Sequence, residues 1–73
     1  MKISYDSQVD ALYIRFVDEQ VQVTTQRLSE DVAVNYAPDG SIVGIEVLDA
    51  SEHVFQPGNE HKVLLHNLLP VAV

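Results

Sequence analysis

The feature that most constrains this chain is a period-two alternation of apolar and polar side chains through its first 48 residues. Successive strand side chains point to opposite faces, so this spacing specifies β-structure with one face dry and the other wet. The clearest stretch is 11–17, where Leu12, Ile14 and Phe16 share one face while Tyr13 and Arg15 share the other. A first strand over 2–5 aligns Ile3 with Tyr5, and Asp6, Ser7 and Gln8 turn the chain back. Asp18 and Glu19 supply the next reversal. A third strand over 21–28 aligns Val21, Val23 and Thr25 against a polar face of Gln22, Thr24 and Gln26.

The alternation resumes over 32–36, with Val32, Val34 and Tyr36 opposite Ala33 and Asn35. Ala37, Pro38, Asp39 and Gly40 then form a strong turn signature. Proline presets φ, aspartate bonds to its own backbone, and glycine accepts a positive φ. The last strand, 42–48, sets Val43, Ile45 and Val47 on one face and Ile42, Gly44, Glu46 and Leu48 on the other. Apolar residues on both faces predict a central position, and Gly44 predicts a bulge or the close approach of a neighbour. The simplest topology is an antiparallel meander of five strands.

After residue 49 the pattern changes to helical spacing. Asp49 and Glu52 have the spacing of a capping box, predicting a helical turn over 50–55. Pro57 and Gly58 break it, and Asn59 can cap a second helix reaching Leu69, ended by Pro70. Val63, Leu64, Leu65, Leu68 and Leu69 form an apolar stripe, with Glu60, His61, Lys62, His66 and Asn67 taking most other positions. Such a stripe is too apolar to leave in water, and too short to stand as an isolated helix. It is the candidate interface, docking on its own sheet or on a second copy. The expected class is α+β: a β-meander over 1–49 and one or two short helices within 50–73, all in a single domain.

With 73 residues there is room for one domain, and a core of that size supplies only about 3–5 kcal/mol, so self-association, most simply as a homodimer, is the expectation. Eleven acidic against four basic residues give a net charge of −7. That sign repels phosphate backbones and anionic lipid, arguing against nucleic acid and membrane as partners and favouring a basic protein. The chain has no cysteine, which removes thiolate chemistry and disulfides. It shows no leader pattern and no long apolar run, so a soluble, cytoplasmic protein is expected.

Catalytic chemistry finds little support in the residues. His53, His61 and His66 are the imidazoles, but His61 and His66 lie five apart, about 140° from a common helix face. Asp6, Asp10, Asp31, Glu46 and Asp49 could converge on a divalent cation, yet no basic patch exists to hold a phosphorylated substrate. Turn and cap roles suit Asp6, Asp10 and Asp49. Glu46 sits mid-strand among apolar residues, and a cross-strand pair with Arg15 is its expected role. No serine lies in a nucleophile elbow. Tyr5, Tyr13 and Tyr36 fit half-buried sheet positions. No catalytic residue, metal or cofactor is expected.

Residues 1–5, then Asp10, Ala11, Leu12, Tyr13 and Ile14, and then the run from Gly40 through Ser51, together resemble the domain-of-unknown-function family 2283 of small prokaryotic proteins. The specific blocks are Asp-Ala-Leu-Tyr-Ile and Val-Gly-Ile-Glu-Val-Leu-Asp-Ala-Ser, and the resemblance covers about 1–53. Asn35 stands where relatives often have Asp, and the chain after Phe55 lies outside the common pattern. The resemblance implies no catalytic residue and no cofactor. It implies an antitoxin-like or partner-binding role, because some members are encoded beside small toxin-like genes.

Overall fold

The computed structural model describes residues 1–55. Five strands, β1 (Lys2–Asp6), β2 (Ala11–Arg15), β3 (Thr24–Arg27), β4 (Val32–Tyr36) and β5 (Ile42–Leu48), precede one short helix, α1 (Ala50–His53). All strand pairs are antiparallel, and the order across the sheet is β1-β2-β5-β4-β3. The described protein is thus mostly β with a small helix.

The tight connections follow from local chemistry. In the β4–β5 turn, Gly40 N–H donates to the Ala37 carbonyl at 2.9 Å and Gly40 takes a φ of 89°. Both the backbone N–H and the hydroxyl of Ser41 donate to Asp39 Oδ1, at 2.9 and 2.6 Å. Between β3 and β4, the Ser29 hydroxyl oxygen accepts from the N–H groups of Asp31 and Val32. The β1–β2 turn is set by Gln8 N–H donating to Asp6 Oδ1 and by Asp10, which adopts a φ of 53°.

The register fixes what each face carries, since residues directly opposed share a face. Ile3 and Tyr5 face Ile14 and Leu12, which face Ile45 and Val47, which in turn face Val34 and Val32. This apolar face contributes the buried Leu12 and Val34. The other face carries the rows Ser4, Tyr13, Glu46, Ala33, Arg27 and Lys2, Arg15, Gly44, Asn35, Thr25. A register shift at Asn35/Tyr36 accommodates one extra β5 residue. Val43 is the largest fully buried side chain, at 1% exposure.

Three sequence expectations need correction. The sheet is not one continuous meander: β1–β2 is a hairpin and β3–β4–β5 a meander, and β5 lies beside β2. Asp18 and Glu19 do not turn β2 into a neighbouring β3: the 16–23 connection carries the chain to the far edge of the sheet, and within it the Arg15 guanidinium donates to the carbonyls of Val17 and Glu19. The gap beside β2 is filled by β5, whose apolar residues on both faces suit the centre. β3 is also shorter than expected. Its Thr24 is opposite Tyr36, so residues 21–23 would have to pair with the Ala37–Gly40 turn, and Val21 and Val23 are left exposed.

The third correction concerns α1. Asp49 is in the left-handed region, at φ 50°, and makes no side-chain cap bond. The expected capping box with Glu52 therefore does not form, and the helix ends at His53 rather than Phe55. The expected second helix lies outside the described residues. No helix among those described is long and apolar enough to cross a membrane.

Candidate interaction surface

α1 is held to the sheet from two sides. On one, the Asp10 main-chain carbonyl accepts from Ala50 N–H at 3.0 Å, and Asp10 Oδ1 accepts from Ser51 N–H at 3.0 Å. The Ser51 hydroxyl donates to Asp10 Oδ2 and the Tyr5 hydroxyl to Asp10 Oδ1, both at 2.6 Å. A residue 41 positions upstream of Ser51 thus caps the helix in place of Asp49. On the other side, His53 Nε2 lies 2.9 Å from Asp31 Oδ2, and the Asp31 carbonyl accepts from Leu48 N–H. Ala50 is fully buried, and the Phe55 ring meets Tyr5 edge to face at 5.0 Å.

This arrangement acts on the Tyr5 phenol. The hydrogen bond to Asp10, then partial burial, then the negative charges of Asp10 and Asp6 hold its pKa above the ordinary tyrosine value. In the β4–β5 turn the Ser41 hydroxyl and backbone N–H hold the Asp39 carboxyl below its ordinary value.

The polar face carries a chain of side-chain hydrogen bonds across the sheet. Thr25 Oγ1 donates to Asn35 Oδ1 at 2.7 Å, and Asn35 Nδ2 donates to the Tyr13 hydroxyl at 3.1 Å. Tyr13 lies across Gly44, where an added Cβ would collide with its hydroxyl and sit 2.6 Å from Cζ. The close approach predicted at Gly44 is therefore a tyrosine ring. Arg15 and Glu46 are on this same face in adjacent strands but do not pair: the guanidinium is committed to Val17 and Glu19. Glu46 is half-buried, flanked by Tyr13 and Ala33, and needs no buried partner because part of it reaches water.

The acidic residues singled out from the sequence are dispersed. Asp10 serves α1, Asp31 meets His53, Asp6 and Asp39 serve turns, and no group of three metal-ligating side chains occurs among the described residues. No cavity occurs among them either. Val63, Leu64, Leu65, Leu68 and Leu69, the candidate interface, lie outside the described residues, as do His61 and His66. Exposed apolar side chains are spread over the described residues, with Val9, Leu28, Ile42 and Val54 among them; Met1, Ile3 and Phe16, 62%, 38% and 43% exposed, adjoin at the end of the β1–β2 pair where Lys2 lies opposite Arg15. Phe16, aligned in the sequence with Leu12 and Ile14, follows the last residue of β2 and still donates its N–H to the Val43 carbonyl at 2.7 Å, but its side chain is left exposed.

Asp10 is the residue whose full role sequence reasoning missed. Its turn position was legible, its reach to Ser51 was not, because nothing local links positions 10 and 51.

Among known families, a model described as "Protein of unknown function (DUF2283)" matches residues 2–51. No curated protein and no solved structure matches the chain.

Proposed function

Since the chain belongs to this family of proteins of unknown function, we propose from that premise and from its surface that it is a non-catalytic protein–protein interaction or structural module that self-associates in the cytoplasm. The carrying observation is the exposed corner of Met1, Ile3 and Phe16 on an otherwise half-buried apolar face. Buried apolar residues among those described number five, and four of them are alanine or valine, at Ala33, Val34, Val43 and Ala50. Burial recovers about 25 cal/mol per Å² of apolar surface, so a second copy covering that corner adds stability that so small a core lacks. In the sequence beyond the described residues, the apolar run of Val63, Leu64, Leu65, Leu68 and Leu69 favours the same reading. Light scattering across a concentration series tests the proposal. A dimer is expected, and a monodisperse 8.1 kDa monomer at high concentration would sink it.

A second reading, an antitoxin-like binder of a basic partner protein, rests on the net charge of −7, since complementary potentials steer association. Pull-downs that recover a small basic protein, with salt-sensitive binding, would favour it over self-association.

A further inference from the structure

We propose that β1 pairs antiparallel with β1 of a second copy about a twofold axis at Ser4, joining two five-stranded sheets into one of ten strands. This rests on the reading of the protein as a self-associating module, and deepens it by naming the edge and the register.

Among the described residues β1 is an edge strand with a neighbour on one side only. Lys2, Ile3, Ser4 and Asp6 are exposed and Tyr5 is half-buried. Edge strands are commonly guarded by proline, by bulges or by charges. β1 has neither proline nor bulge: it runs in unbroken register with β2, and its two charges stand at its ends with opposite sign, where a second copy can pair them. The sequence Lys-Ile-Ser-Tyr-Asp is self-complementary when read against itself in the antiparallel sense. Centred on Ser4, Lys2 lies opposite the partner's Asp6 and Ile3 opposite the partner's Tyr5. Both faces match. Ile3 and Tyr5 share the apolar face and Lys2, Ser4 and Asp6 the polar one, so the apolar faces of two copies become continuous. A residue-centred axis is compatible with the antiparallel ladder, whether the axial pair is hydrogen-bonded or not.

The charges give an independent reason. Lys2 stands directly opposite Arg15 within its own sheet, and like charges directly opposed are destabilising. Among the described residues Lys2 has no ion-pair partner. Asp6 accepts a backbone N–H from Gln8 and enters no ion pair among the described residues. A second copy supplies each with the opposite charge. The other edge lacks this match: β3 against itself would set Thr24 opposite Arg27 and Thr25 opposite Gln26, with neither apolar contact nor charge pairing.

The chain has no cysteine, so Ser4→Cys places one thiol next to its own copy across the axis. Opposed Cα atoms in antiparallel pairs are about 4.5–5.5 Å apart, within disulfide range. Under mild oxidation Ser4→Cys is expected to form a linked dimer, while Thr25→Cys on the β3 edge stays unlinked, read on non-reducing gels. In sedimentation equilibrium Lys2→Glu should raise the dimer dissociation constant about tenfold, and adding Asp6→Lys should restore it. Circular dichroism confirms that each variant is folded. Linking at Ser4 no faster than at Thr25, together with a dissociation constant indifferent to Lys2→Glu, overturns the β1 pairing. If a dimer then persists, self-association stands with its interface elsewhere; if the wild-type chain is monomeric throughout, both readings fall.

Discussion

Asp10 illustrates how one carboxylate can organise three separate pieces of chain. It ends the β1–β2 turn in a left-handed conformation, receives the Tyr5 hydroxyl and caps α1 through Ser51. Aspartate tolerates the positive φ that most side chains avoid, so the same residue type serves both the turn and the cap. Replacing Asp10 with Ala removes the acceptor from three donors and places a residue less suited to positive φ in the turn. A loss of about 1–3 kcal/mol in urea unfolding is expected. The raised pKa of Tyr5 sets a second expectation. The phenol is held protonated more firmly in the folded state, so its contribution is complete below the ordinary tyrosine range near 10 and is lost as pH rises through the folded value. Tyr5→Phe should flatten the alkaline decline in melting temperature. An unchanged alkaline slope would show that the bond to Asp10 does not couple to folding.

At the level of elements, what the sequence revealed was what local spacing can encode. β4, β5 and the Ala37–Gly40 turn appear where alternation and turn chemistry put them, because each depends on residues within a few positions. The central place of β5 was also legible, from its two-sided apolar pattern. Strand order was not. Alternation says which face a residue takes but not which strand lies beside it, and the loop held by Arg15 is invisible to periodicity. The capping box failed for a related reason, since Asp49 took the left-handed turn out of β5 and a distant carboxylate took over its task. Of the candidate site, the acidic residues were visible as residue types, but their dispersal became apparent only in the fold. Two measurements probe this level. Gly44→Ala should cost about 1–3 kcal/mol, because Tyr13 and the Ile14 carbonyl occupy the space of a Cβ, and less in a Tyr13→Ala background. Asp39 is held ionised by Ser41, so its contribution is present above about pH 4 and disappears as pH falls through the lower folded value. Ser41→Ala should therefore lessen the acid sensitivity of the native hairpin, read by NMR titration of the Asp39 carboxyl moving back toward its ordinary value.

For the whole molecule, the central question is how a sheet with so few fully buried side chains is stabilised. Truncation after Gln56 removes the leucine-rich stripe and is expected to abolish cooperative unfolding or the oligomeric state. A truncated chain with unchanged melting and unchanged mass in solution would show that the stripe is neither core nor interface. Mg²⁺, Mn²⁺ and Zn²⁺ provide a complementary check, since a ligand that binds only the folded state must raise its melting temperature. The non-catalytic reading expects no shift with any of them, and a saturable increase would reopen metal-dependent chemistry.

The seam between β2 and β5 has a consequence of its own. The residues paired across it, from Ala11–Leu48 to Arg15–Gly44, are about thirty or more positions apart in the chain, while the strands on either side fold onto their sequence neighbours. The described protein is in effect two locally closed halves whose junction is long-range throughout, the β2–β5 seam together with the Asp10–Ser51 and Tyr5–Phe55 contacts, and the 16–23 connection is a tether between them. Loop-closure entropy grows only slowly with length, so lengthening this tether by several glycines and serines should cost well under 1 kcal/mol. By the same reasoning, a chain nicked between Gln20 and Val21 should reassemble from its two fragments at sufficient concentration, which would make the seam a ready-made basis for split-protein complementation.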